Sequence, residues 1–189
     1  MLDLRPAAQQ TASVAAAVTD AHLDAPTPCT EYSVSDLLAH LSGLSVAFRD
    51  AARKVGGSET PEASVSGGLD PQWRTSLPQR LDDLAEAWGT PEAWSGMTKA
   101  GGIDLPGEVA GVVALDEIVL HGWDLARATG QSYSCDPVTT RAIFDFTQQS
   151  AAETDSRDGI FGPPVDVPAD APLFDRALGY AGRDPNWTG

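Results

Sequence analysis

Apolar residues recur along this chain at helical rather than strand-like intervals, and polar stretches rich in Gly and Pro separate the periodic segments. The first segment predicts a helix from about Leu4 to Ala21. Pro6 sits in its first turn, where a missing N–H costs little, and Leu4, Ala8, Ala15 and Val18 share one side. Residues 24–32, with two prolines, form a connection. A second helix then starts sharply: Ser33 as N-cap and Asp36 three residues on make a capping box ahead of Leu37 and Leu38. It should reach about Lys54 and stop at Gly56-Gly57. Residues 55–72 show no period. A third helix, about Trp73 to Trp88, places Leu77, Leu81, Leu84 and Trp88 on one face. The irregular stretch 89–107 leads to the most regular helix, about Glu108 to Thr129, with Arg127 in its last turn and Gly130 at C′. Asp136-Pro137 open a fifth helix, expected to reach about Thr154. The tail, from about 157 to 189, reads as extended apart from a short helix near Pro172 to Tyr180. This pattern predicts an all-α bundle of four main helices with long crossover loops, and residues 1–189 as a single domain.

Charge narrows the range of partners. With 12 Lys+Arg against 27 Asp+Glu, the 189-residue chain carries a formal net charge of −15. Such a surface repels phosphate backbones and anionic lipids, which argues against nucleic-acid and membrane-surface binding. No apolar run is long enough to span a bilayer. The N-terminus lacks the cationic start and continuous apolar stretch of a signal peptide, so a cytoplasmic location is expected. Cys29 and Cys135 form neither a disulfide framework nor a C-x-x-C site.

Chemistry concentrates on the fourth helix. Its apolar stripe of Val109, Val112, Val113 and Leu120, followed from Val113 in helical steps, reaches Glu117, His121 and Asp124. Glu117 and His121 are one turn apart, so a carboxylate and an imidazole could grip one divalent ion. An ordinary Glu–His hydrogen bond in a half-buried interface explains the same spacing. His40 continues the line Leu37, Leu41, Leu44 and Phe48 on the second helix, and facing helices of bundles do build metal sites from His and Glu. His40, Glu117 and His121 would make a three-ligand site with an open position, as catalytic zinc sites have. A lone core histidine is the plainer alternative, and both readings stand on pattern alone. Asp124 is placed to accept the other N–H of a ligand imidazole, or else to join a plain ion pair. Asp36-x-x-x-His40 mirrors the Glu117–His121 pair, but the capping box already occupies Asp36. Cys29 lies in a Pro-rich turn and reads as passive, and Trp123 should pack on the side of the helix away from His121. Nucleotide-binding glycine loops and a G-x-S-x-G elbow are both missing.

Three blocks, TPCTEYSVSDLLAHLSG (27–43), DEIVLHGWDLARATGQ (116–131) and FGPPVDVPADAPLFDRALGYAGRDPNW (161–187), resemble an actinobacterial DinB-like family related to the N-terminal domain of mycothiol-dependent maleylpyruvate isomerase. The resemblance implies a DinB-like four-helix bundle with one divalent metal held by a His on the second helix and a Glu-x-x-x-His pair on a later one. These positions match His40, Glu117 and His121. The isomerase has a further C-terminal domain that contributes to its active site; this sequence is expected to end in its Pro-rich tail instead.

The resulting expectation is a cytoplasmic metal-dependent enzyme acting with a low-molecular-weight thiol, a mycothiol-type S-transferase or isomerase. Zn²⁺ is the expected ion, with Ni or Mn as alternatives, and a metal-bound thiolate is the expected nucleophile, with mycothiol as cosubstrate and an electrophile as second substrate. The loops 55–72 and 89–107 are expected to close over that electrophile. A hydrolase using metal-activated water is one alternative, and a non-catalytic metal-binding or stress-response protein is another. Homodimers are common among such bundles, but nothing in the sequence argues for one.

Overall fold

A computed structural model of the chain describes residues 1–55, 68–152 and 161–189. Helix α1 spans Arg5–Ala16, with Pro6 in its first turn. It stops short of the expected Ala21 because Thr19 caps a separate 3₁₀ turn over Asp20–His22, its backbone N–H donating to His22 Nδ1 at 3.2 Å. Helix α2, Val34–Arg53, opens with the expected box: Asp36 N–H donates to Ser33 Oγ (3.2 Å) and Ser33 N–H to Asp36 Oδ2 (3.1 Å). Lys54 closes it in the left-handed region at φ 53°, ahead of the expected stop at Gly56-Gly57, which lies outside the described residues. Helix α3 spans Trp73–Ala87, and its predicted stripe of Leu77, Leu81 and Leu84, with Trp88 just beyond, is fully buried.

The stretch 89–107 has more structure than its sequence led us to expect. A short helix α4, Pro91–Trp94, precedes an antiparallel hairpin of β1, Met97–Ala100, and β2, Ile103–Pro106. Gly101 and Gly102 form its two-residue turn at φ 56° and 81°, the positive values that such tight hairpin turns demand. Trp94 anchors this segment to the next helix, α5, Gly107–Ala128. A Cβ at Gly111 would lie 2.5 Å from the Trp94 ring, so only glycine leaves room for the contact.

Four helices make the bundle: α2 packs on α3 and α5, and α1 packs on the same two. Fully buried leucines from α2 (Leu37, Leu38, Leu41), α3 (Leu77, Leu81, Leu84) and α5 (Leu115, Leu125) fill the centre. Each such burial contributes about 1.5–3 kcal/mol relative to exposure. The buried faces of α5 are set by Ala110, Ala114, Leu115, Ile118 and Val119. The expected stripe through Val109 is therefore displaced: Val109 is 45% exposed, and Val112 and Val113 are only partly buried. Trp123 is buried against the Arg127 guanidinium, 5.9 Å from its ring centroid.

Outside the bundle, α6 (Pro137–Ala152) packs on α7 (Leu173–Tyr180). Asp136 caps α6 as expected, Oδ1 accepting from Val138 N–H (2.8 Å) and Thr139 N–H (3.0 Å). The expected end near Thr154 and the start of the tail near 157 lie outside the described residues. Beyond α7 the chain returns to α5, where Arg127 Nη2 donates to the Trp187 carbonyl at 2.5 Å. No helix among the described residues is long and apolar enough to cross a membrane. The architecture is the all-α bundle that periodicity predicts, in the DinB-like form that the resemblance implies.

Candidate metal centre

His40 projects from α2 and Glu117 and His121 from α5, across the seam where those helices pack. One carboxylate oxygen joins them: Glu117 Oε2 lies 3.4 Å from His40 Nε2 and 3.1 Å from His121 Nε2. The three donor atoms all lie within 4.8 Å of one another. For ligands about 2.05 Å from a tetrahedral ion, donor atoms sit about 3.3 Å apart, so both short separations suit a common ion. Two imidazole nitrogens and a carboxylate oxygen are also the donor chemistry that zinc and its neighbours favour. A divalent ion fits this cluster.

Each imidazole is braced by a neighbour. Tyr32 stacks on His40 with ring centroids 5.1 Å apart and an interplanar angle of 25°, and His40 meets His121 edge-on at 4.8 Å. The other nitrogen of His121, Nδ1, lies 3.2 Å from Asp124 Oδ2. Asp124 is fully buried and held in turn by Arg183, with Nη2 at 3.0 Å from Oδ2 and Nε at 3.4 Å from Oδ1. Burial alone would pull the His121 pKa down. Its hydrogen bonds to Asp124 and Glu117 outweigh that and raise it to about 9. Burial would likewise push Glu117 up, yet the hydrogen bonds of His121 and His40 hold its carboxyl well below the usual range.

Cys29 also approaches this cluster, its Sγ grouping with His121 and Asp124 within 4.8 Å. The Arg183 guanidinium on both Asp124 oxygens makes that second grouping a poor place for a cation. Desolvation pushes the Cys29 thiol up to about 11, which keeps it protonated at neutral pH. Its passive reading matches this setting, and Cys135, pushed up to about 12 by burial, is equally inert. Asp36 stays in the α2 capping box, away from the cluster.

The cluster faces a cavity of about 970 Å³. Tyr32 from the 24–32 connection, Val113 from α5, Phe146 from α6, and Phe161 and Arg183 from the tail contribute to its walls. No residue of 89–107 lines it, so the hairpin is no cover for this cavity; most of the other expected loop, 55–72, lies outside the described residues.

Three residues of the site escape sequence reasoning. Tyr32 and Arg183 both fall inside the blocks that carry the resemblance, but no periodicity links Arg183 to an aspartate 59 residues earlier. Asp116, beside Glu117, points about 100° away from it around α5. It is only 3% exposed, and its Oδ1 has no hydrogen-bond partner among the described residues. An unsatisfied buried oxygen of this kind costs about 1–3 kcal/mol. Desolvation, reinforced by the Glu117 charge, raises its pKa well above the ordinary value.

Comparison with known proteins bears on this arrangement. Residues 4–126 match the family described as the mycothiol maleylpyruvate isomerase N-terminal domain. Two uncharacterized proteins from two strains of Mycobacterium tuberculosis are each 29% identical over 137 residues, covering 67% of this chain and 65% of theirs. The chain thus spans about two-thirds of the length of these curated relatives. Crystal structures of mycothiol-dependent maleylpyruvate isomerase and of a histidine-to-alanine mutant of it superpose with TM-scores of 0.61 and 0.62. They are 18% and 19% identical and cover 79% of this chain and 69% of theirs. At that identity the likeness speaks to the fold.

Proposed function

Because this chain belongs to the mycothiol maleylpyruvate isomerase N-terminal domain family, we propose that it is a metal-dependent enzyme using a low-molecular-weight thiol. Mycothiol is the proposed cosubstrate, in an S-transfer or isomerisation on a small electrophile. The observation that carries the reading is the convergence of two imidazole nitrogens on one carboxylate oxygen beside a ligand-sized cavity. His40, Glu117 and His121 would hold one divalent ion, with Zn²⁺ the best match to the donors and Ni or Mn as alternatives. When bound, that ion supplies positive charge that favours the thiolate form of a thiol at neutral pH.

The chain's own groups prepare the site for this chemistry. Asp124 accepts the His121 Nδ1–H, which leaves the Nε2 lone pair free for a ligand bond, and Arg183 holds Asp124 in place. Tyr32 fixes the His40 ring by stacking. Val113, Phe146 and Phe161 give the cavity apolar surface against which the carbon atoms of a substrate can pack. Among the described residues no fourth side chain joins the cluster, which supports an open position for substrate. Because the tail supplies Arg183, residues 1–189 are read as one working domain, placed in the cytoplasm.

Purified protein should carry close to one divalent ion per chain by elemental analysis, and His121→Ala should strip it. A screen of thiols against electrophiles should find turnover that needs both metal and thiol. Protein that takes up no divalent ion under any condition would sink the proposal. Turnover without thiol would instead point to a hydrolase, and metal without thiol binding to a non-catalytic role.

A further inference from the structure

Among the polar groups of the cavity wall, one is both buried and left without a partner by the chemistry above. Asp116 lines the cavity, and its Oδ1 is sealed from water without a hydrogen-bond partner among the described residues. The two cationic side chains near it are engaged elsewhere. Arg183 directs Nη2 and Nε to Asp124 and Nη1 to the Ala181 carbonyl. His121 has Nδ1 at Asp124 and Nε2 at Glu117. The backbone N–H groups of α5 around Asp116 serve the helix's own ladder. The cavity is the side from which Asp116 can still gain a partner. A carboxyl group offers an acceptor in either protonation state, and its terminal torsion is broad and two-fold, so either oxygen can turn toward an occupant.

The wall that holds Asp116 is mixed: Val113, one turn before it on α5, Phe146 and Phe161 are apolar, and Thr30, Glu31, Tyr32 and Arg183 are polar. In such a wall a buried, unpaired acceptor adds one directional hydrogen bond that orients a ligand. Resting on the thiol reading of the site, we infer that Asp116 accepts a hydrogen bond from a hydroxyl group of the cosubstrate. It thereby selects a polyhydroxylated thiol over a simple one. A site built around such an acceptor discriminates against ligands lacking the donor, because the acceptor is then left buried and unpaired.

The test uses the metal-loaded full chain and two probes: mycothiol, which carries its cysteinyl arm on a sugar–inositol body, and N-acetylcysteine amide, which has the thiol arm alone. Asp116→Ala removes the acceptor and substitutes the best helix former, so the variant should fold with an unchanged or higher Tm. Calorimetric titration should show wild type preferring mycothiol. Asp116→Ala should lose about tenfold in mycothiol affinity, the worth of one hydrogen bond, with its metal content and its affinity for N-acetylcysteine amide unchanged. Asp116→Asn, which keeps a carbonyl acceptor, should retain the preference. Asp116→Ala binding mycothiol as tightly as wild type, or weakening both thiols equally, overturns the inference alone. Wild type that binds neither thiol overturns it together with the reading on which it rests.

Discussion

Replacing Arg183 with methionine tests the idea that the tail is part of the site rather than an appendage. Methionine keeps most of the stem's length and apolar packing, so the change isolates the guanidinium. In wild type the pair is nearly dry, with the Arg183 side chain 8% exposed and Asp124 0%, joined at 3.0 Å and 3.4 Å. Arg183→Met leaves a buried carboxylate whose remaining side-chain partner among the described residues is His121 Nδ1 at 3.2 Å. Stranding one member of a buried pair typically costs about 3–5 kcal/mol. For a chain of this size each kcal/mol moves Tm by about 2–4 °C, so the expected drop is about 6–20 °C.

The measurement is a urea melt and a thermal scan of metal-free protein, since a bound ion would add its own linkage to the apparent stability. A double-mutant cycle with Asp124→Asn sharpens the result. The double variant removes both charges and should be more stable than Arg183→Met alone, with a coupling of about 1–3 kcal/mol. A Tm within 2 °C of wild type, or an additive cycle, would refute the reasoning, because it would mean that the tail does not hold Asp124 in solution.

Gly122→Ala should destabilise, although helix propensity alone predicts a gain of about 1 kcal/mol. The new Cβ would run into Thr11 Oγ1 and lie 2.7 Å from the Tyr133 ring, an overpacking cost of about 1–3 kcal/mol readable in a urea melt. Asp136→Ala should cost about 1 kcal/mol at pH 7 through loss of the α6 cap. The Thr139 hydroxyl and N–H hold the Asp136 carboxyl below its ordinary 3.8. A depressed folded-state pKa stabilises above the unfolded value, so the gap between variant and wild type should be full above pH 3.8 and close as pH falls through the lower folded value. A gap that persists undiminished into that acid range would show that the cap does not depend on the charge. Asp124→Asn should weaken metal binding by about 10–100-fold in a competition titration while leaving the three ligands in place, and unchanged affinity would remove Asp124 from the site.

Helix positions were legible wherever burial and capping agreed. Ser33 and Asp36 announce α2, and Leu77, Leu81 and Leu84 announce α3, because period and cap are local properties read within one or two turns. The hairpin at 97–106 was missed although Gly101-Gly102 is a strong two-residue turn signal, since its strands are only four residues each and carry little alternation. The stripe through Val109 misjudged α5 for a different reason. That helix is buried on most of its circumference, so its apolar residues do not mark one face, and small residues such as Ala110 and Ala114 take the closest contacts.

The candidate site divides along the same physical line. Glu117 and His121 share a helix, and four residues of separation nearly determine their mutual geometry before any tertiary contact forms. His40 could be added because its own helix has a clear inward face. Arg183 and Tyr32 reach the cluster only through the path of irregular segments, and that path follows from packing, which no periodicity encodes. Asp116 and Glu117 show how sharp the division is. They are identical in charge and adjacent in sequence, yet about 100° of helix rotation sends one to two imidazoles and seals the other with an unpaired oxygen. Charge counted along the chain treats the two as equals. Only their placement against α2 and the tail separates the carboxylate suited to a metal from the one suited to a ligand hydroxyl, and the Asp116→Ala titration measures that separation directly.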